Sequence, residues 1–525
     1  MYANAEHRLS ALLANSGKTA ILGGSTGLEK ESLRVAPDGS IAQTPHPAAL
    51  GSALTHPWIT TDYSEALLEF ITPPLPGPAA ALQFLRDLQH FVYLRLEREL
   101  LWSSSMPCVV AGESSIPVAQ YGSSNAGMMK TVYRRGLGYR YGRIMQAIAG
   151  AHYNYSFPDA FWPVFQELEK NSDPLHDFIS ACYFRLIRNL LRYGWLIPYL
   201  FGSSPAICKS FLSGIPAKLE EFNENSYYAP YATSLRMCDI GYQNSHEYQD
   251  GFKANYDNLD IYVDSLTHAI ETPCPSHVDI GVKVGGEYRQ LNANILQIEN
   301  EYYSSVRPKQ VPEFNEKPTL ALRRRGVRYL ELRSLDINVY DPLGISLEQC
   351  RFLETLMAFC LFLDSPPLSE VERRYIDYNL DAVCYRGREP SLTLQRDSRS
   401  VPLREWAAEL CGAMTGFAEL LDTGEEAHPY RQALQNQVES VRDPERTPSA
   451  RIVADMRAHG EGYFHFAKRM SLQHQAYFLQ LRPDPQTRQR LEAAVEKSVR
   501  DQRHLEVSDN RSFEEFLQDY FAQQL

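Results

Sequence analysis

Gly27-Leu28-Glu29-Lys30-Glu31-Ser32-Leu33-Arg34-Val35 alternates polar and apolar residues with a period of two, which predicts a strand carrying Glu29 and Glu31 on one face. Two carboxylates held side by side repel each other unless a cation lies between them. Further on, Asp62, Glu65 and Glu69 fall within Thr60 to Pro73, and Glu65 and Glu69 share a face in either a strand or a helix. Ala151-His152-Tyr153-Asn154-Tyr155 sends His152 and Asn154 one way and the aromatics the other. Tyr329-Leu330-Glu331-Leu332-Arg333-Ser334 pairs Glu331 with Arg333 by the same alternation. Taken singly, each string reads as a solvated strand face, a core histidine or a surface ion pair. Repetition of one design on several strands points to a site. Hard oxygen donors with one histidine and no cysteine pair suit Mg²⁺, or Mn²⁺ in its place, rather than zinc, and Mg²⁺ is commonly shared with substrate phosphates.

The familiar phosphate loops are missing. Gly23-Gly24-Ser25-Thr26-Gly27 lacks the following Lys-Ser/Thr, and neither H-E-x-x-H nor G-x-S-x-G occurs. A bound nucleotide would therefore need metal ions and arginines to neutralise its phosphates; Arg134, Arg135, Arg236 and Arg333 are candidates.

Apolar spacing places helices at Ala79 to Leu100, Asp177 to Trp195 and Leu347 to Leu363. Ser512 with Glu515 forms a capping box ahead of an apolar stripe at Phe513, Phe516, Leu517, Tyr520 and Phe521. Period-two stretches at Leu28 to Val35, Ala151 to Phe157, Gln290 to Ile298 and Val327 to Asn338 predict strands, the first turning back as a hairpin at Pro37-Asp38-Gly39. Strands without βαβ alternation predict an α+β fold, an antiparallel sheet with helices outside it. The stretch from about Leu363 to Ser400 reads as the least regular, and the loop Tyr121 to Gly127 as a possible lid.

The 525 residues, 44% hydrophobic and 22% charged, supply a large core. Lys plus Arg at 52 against Asp plus Glu at 64 gives a net charge of −12, which argues against nucleic acid and anionic membranes as partners. No targeting segment or membrane span is read, so a cytoplasmic protein is expected. Nine single cysteines without a C-x-x-C pair suggest buried thiols rather than a disulfide framework.

These strings, together with Gly51-Ser52-Ala53-Leu54-Thr55-His56, Ser105-Met106-Pro107-Cys108, Pro198-Tyr199-Leu200-Phe201-Gly202 and Leu296-Gln297-Ile298-Glu299-Asn300-Glu301, resemble the bacterial form of glutamate–cysteine ligase from about Gly23 to about Pro390. The resemblance implies a glutamine synthetase-like catalytic fold, a curved antiparallel funnel, over residues 1–390; residues 391–525, where the likeness weakens, are read by position as a mostly helical region packed on it. It implies ATP-dependent ligation of glutamate to cysteine, or of glutamate to another amine, and a monomer is expected; a silent nucleotide-binding scaffold is the contrasting class. Glu29, His152 and Glu331 are then expected to hold Mg²⁺ at the ATP phosphates, and Glu31, Asp62 and Glu69 to hold metal nearer the glutamate. Arg134, Arg236 and Arg333 are expected to meet phosphate or carboxylate, Asn154 to bind substrate, and Tyr133 and Tyr242 to line the cysteine pocket. Gly138 and the Met128-Met129 pair depart from the family pattern, in a loop near that pocket.

Overall fold

The computed structural model describes residues 2–212, 217–241, 252–482 and 484–524. Eight strands build one antiparallel sheet: β1 (Ser25–Val35), β2 (Ile59–Thr61), β3 (Leu67–Ile71), β4 (Leu75–Pro76), β5 (Leu100–Leu101), β6 (Ala151–Ser156), β7 (Val306–Lys309) and β8 (Tyr329–Leu335). Their spatial order is β7-β8-β6-β1-β3-β2, while β4 and β5 pair with the two ends of β1. Glu31 lies opposite Glu69, Glu29 opposite His152, Asn154 opposite Glu331, and Glu331 opposite Arg307. Because side chains alternate across a strand, these registers gather the polar residues on one face.

The other face is core. Leu28, Phe70, Tyr153, Tyr155 and Leu330 are all buried there. The helix Gly77–Tyr93 covers β1 and β3, and Leu347–Phe362 packs against it and against Leu175–Tyr193. Leu347–Phe362 is buried almost all round and begins at a full capping box between Ser346 and Gln349. Its Glu354 carboxyl receives hydrogen bonds from Thr26, Tyr153 and Tyr430, and burial pushes it up to about 7. Lys30 also points into this face, donating to Gln89 at 2.8 Å, and burial pushes its ammonium down to about 7.

The α+β expectation and the three central helices hold, with shifted ends. Other expectations fail for local reasons. Gln290 to Ile298 is not a strand: its polar side chains bond to nearby backbone, with Leu291 N–H donating to Gln297 Oε1 and the Asn292 side chain to Gln297 O. Asp38 does cap a turn, accepting from Ser40, but the returning chain makes only the bridge Val35 to Ile41, and β1 takes β3 and β6 as neighbours instead. The stretch read as irregular contains the helix Glu370–Arg386 and a hairpin of Thr393–Arg396 with Arg399–Pro402. That helix buries only Asn379, Ala382, Val383 and Cys384, so its charge reflects a solvated side. Cys108 and Cys208, 100 residues apart, form a disulfide, a separation that offers no pairing signal; the other seven cysteines are free and buried.

Beyond residue 390 the described chain forms that hairpin, seven α-helices and a short 3-10 helix, and Leu403, Trp406, Phe417, Tyr463 and Phe466 join the main apolar core. The last helix, Phe513–Phe521, has its capping box as expected, but Phe513, Phe516 and Leu517 pack in a separate cluster with Val132 and Leu291. Among the described residues no helix is long and apolar enough to cross a membrane.

Candidate active site

The polar face of the sheet floors a cavity of about 600 Å³. At its centre one ligand atom each from Glu29, His152 and Glu331 lie within 4.8 Å of one another. His152 Nδ1 is 2.9 Å from Glu29 Oε2 and 3.5 Å from Glu331 Oε1, while its Nε2 is 3.8 Å from Glu31 Oε1. Asn154 donates to Glu29 Oε1 at 2.9 Å, and the backbone N–H of Gly150 donates to Glu31 Oε2 at 2.6 Å. One histidine thus sits among three carboxylates borne on β1 and β8.

The charges divide the face. Burial and the Glu331 charge push the Glu29 carboxyl up, but the hydrogen bond and charge of His152 win and hold it below its ordinary value. Glu331 loses hydration too, yet Lys309, Arg333 and His152 keep it well below the carboxylate range. Arg333 donates to Glu331 Oε1 at 2.7 Å, and Lys309 Nζ lies 3.3 Å from Oε2. On the β3 side the balance reverses. Glu31 is raised by burial and Asp62, and Glu69 well above its usual range by burial and then by Glu29, Asp62 and Glu31. Carboxylates crowded this way are what a divalent cation would relieve. Asn154 Oδ1 adds a buried acceptor without a hydrogen-bond partner. The donor set therefore fits a hard divalent metal.

Of the residues singled out from sequence, Glu29, Asp62, Glu69, Tyr133, Arg134, His152, Glu331 and Arg333 all line this cavity. Glu31 and Asn154 reach it through the contacts just given. Arg134 donates to the carbonyl of Asp62 and lies over the Tyr121 ring, 4.7 Å from its centre. Tyr242 lies outside the described residues. Glu65 turns away, accepting backbone N–H bonds from His46 and Gln120, each at 2.8 Å. Arg135 also leaves the site, pairing with Glu287 at 3.1 Å.

Arg236 stands behind the face rather than in the cavity wall. It is only 4% exposed, donates to the Arg333 carbonyl at 3.0 Å and has an Nε–H without a partner. Asp336 organises its surroundings by accepting from Ser203 N–H, Ser204 Oγ and Ser234 Oγ, with Arg236 Nη1 at 3.9 Å. Gly150 leaves room for it, since a Cβ there would lie 2.2 Å from Arg236 Nη2.

Sequence reasoning missed Arg307 and Lys309, which alternate on β7 and carry the cationic edge of the cavity. Their spacing within Val306-Arg307-Pro308-Lys309 was the available signal. Tyr63, Leu137 and Gln146, which also line the cavity, gave none. Tyr121 to Gly127 is not a free lid: Tyr121 is buried, Ser123 N–H donates to Glu506, and the helix Asn125–Tyr141 starts within it. Met128, Met129 and Gly138 lie on that helix, not in a loop, and the absent Gly138 side chain makes room for Tyr63, whose hydroxyl would lie 2.5 Å from a Cβ there.

Comparisons with known proteins identify the family. A family model described as glutamate–cysteine ligase matches residues 9–383. A curated glutamate–cysteine ligase from Alcanivorax borkumensis is 50% identical over 98% of this chain and 99% of its own length, and one from Pseudomonas putida is 48% identical over 94% of each. A crystal structure of glutamate–cysteine ligase from Francisella tularensis in complex with AMP superposes with a TM-score of 0.89 at 35% identity, covering 95% of this chain and 98% of that one. A bifunctional glutathione synthetase from Pasteurella multocida is 25% identical, with a TM-score of 0.72 over 91% of this chain and 55% of that one. With a family match over most of its length and relatives near half identity, the chain belongs to the glutamate–cysteine ligase family.

Proposed function

We propose that the protein joins the γ-carboxylate of L-glutamate to the amino group of L-cysteine at the expense of ATP, giving γ-glutamylcysteine, ADP and phosphate, the first step of glutathione biosynthesis. The observation that carries the reading is the face on which Glu29, His152 and Glu331 converge beside Arg333, Arg307 and Lys309. Glu29, His152 and Glu331 would hold Mg²⁺, or Mn²⁺, and Glu31, Asp62 and Glu69 a further ion. When bound, such ions neutralise phosphate and carboxylate oxygens as Lewis acids.

The chain's own residues do the rest. Arg333, Arg307 and Lys309 balance phosphate charge at the β7–β8 edge, so that a γ-carboxylate oxygen can meet the γ-phosphorus in line while the bond to the ADP oxygen breaks. Arg134, in the cavity wall, would hold a substrate carboxylate, with Asn154 orienting the ligand, and Arg236 would act from behind the face by holding the Arg333 backbone. The cysteine nitrogen then attacks the acyl carbon, phosphate leaves with one former carboxylate oxygen, and the ammonium proton is released. Tyr133, Tyr63 and Leu137 shield that acyl phosphate from water. Tyr242 is assigned to the cysteine pocket on sequence alone. Residues 1–390 are read as the catalytic part and 391–525 as a helical region packed on it, in a cytoplasmic monomer without nucleic-acid or membrane partners.

An amine panel tests this. With ATP, Mg²⁺ and glutamate, ADP release is expected to rise strongly with cysteine and only weakly with ammonia, alanine or serine. Equal turnover with any amine would reassign the acceptor, and no amine-dependent release would refute the ligase reading.

A further inference from the structure

We infer that Asp509 and Gln523, near the C-terminus, are positioning residues that fix two walls of the catalytic cavity relative to each other. One wall is the helix Asn125–Tyr141, which presents Met129, Tyr133 and Arg134 to the cavity; another part of the lining is formed by Glu313, Phe314 and Asn315.

Asp509 grips the first wall at its start. Its carboxylate accepts the backbone N–H of Asn125 at 2.5 Å and the Asn125 side-chain amide at 2.7 Å, and that same amide also donates to the Arg511 carbonyl at 3.0 Å. A carboxylate at this position satisfies otherwise orphaned amides and meets the positive end of the helix dipole. Gln523 grips the second part: its amide donates to Asn315 O at 2.8 Å, and its Oε1 accepts Lys317 N–H at 3.2 Å. Lys317 Nζ reinforces this by donating to Phe521 O at 2.8 Å.

Between the two grips runs the nine-residue helix Phe513–Phe521, a rod of roughly 13 Å. Its buried Phe513, Phe516 and Leu517 form a cluster separate from the main core, packed against Met129, Tyr133 and Ile298. Those three residues also line the cavity. The strap therefore sets where substrate-facing side chains stand, while its buried apolar residues lie outside the main core cluster. Misplacement of binding groups by about 1 Å can cost up to 10²-fold in rate.

The test uses Asp509→Ala and Gln523→Ala in the full chain. The kinetic arm rests on the ligase reading above; a hydrogen-exchange arm does not. For Asp509→Ala the KM for glutamate and cysteine should rise roughly tenfold with kcat within about threefold of wild type, and the melting temperature should fall by less than ~4 °C. Gln523→Ala should act in the same sense, more weakly. Amides at the start of the helix Asn125–Tyr141 should lose exchange protection in Asp509→Ala while those of β1 and β6 keep theirs. Unchanged KM values with unchanged protection would overturn the inference, as would losses that follow only the folded fraction. If the wild-type protein shows no cysteine-dependent ADP release, the function fails, and the exchange arm alone decides the strap.

Discussion

Glu29→Gln is expected to lower cysteine-dependent ADP release by roughly 10³-fold, equivalent to about 4 kcal/mol of transition-state stabilisation. Glutamine has nearly the same shape and can keep contact with His152 and Asn154, so the change is chiefly the loss of one negative ligand from the Glu29–His152–Glu331 group. Burial first, and then the neighbouring carboxylates, hold Glu69 well above its usual range, and the same loss removes one of those charges. Folding should therefore not suffer, and the melting temperature of the metal-free variant is expected to equal or exceed that of wild type. Initial rates at saturating Mg²⁺ beside a melting curve separate the two effects. A variant that melts like wild type and still turns over at a tenth of its rate would remove Glu29 from the metal site.

Gly150→Ala should reduce kcat/KM by roughly 10²-fold, with most of the loss in the KM for glutamate. The added methyl would come within 2.2 Å of Arg236 Nη2. The obstructing atom ends a long side chain, so the fold can yield by moving the guanidinium. Arg236 nevertheless has little freedom, being almost fully buried and tied to the Arg333 carbonyl. Its displacement would shift both the Arg333 backbone that it holds and the Gly150 N–H that holds Glu31. Steady-state kinetics with each substrate varied in turn, beside thermal unfolding, would check this. A normal glutamate KM would mean that Arg236 does not position the site.

The residues at the centre of the site were legible because a strand's alternation is a local property. Glu29 with Glu31 and His152 with Asn154 share faces whatever the rest of the chain does. Which strands become neighbours is not local. The registers Glu31 to Glu69 and Asn154 to Glu331 join segments separated by long stretches of sequence. Amide-rich Gln290 to Ile298 shows the opposite failure: its alternation is real, but the side chains bond to adjacent backbone and no ladder forms. Arg307 and Lys309 went unread because β7 is four residues long and contains Pro308, which weakens a strand pattern. The contribution of the C-terminal region was hidden for another reason. Asp509 and Leu505 meet the site only through tertiary packing that no spacing encodes.

In the proposed reaction this face activates the glutamate γ-carboxylate as an acyl phosphate. Glutamate carrying ¹⁸O in both γ-carboxylate oxygens, incubated with ATP, Mg²⁺, cysteine and the enzyme, tests it by mass analysis of the products. One labelled oxygen should appear in inorganic phosphate and the other remain in the new amide. Unlabelled phosphate, or label transferred to AMP, would contradict the account.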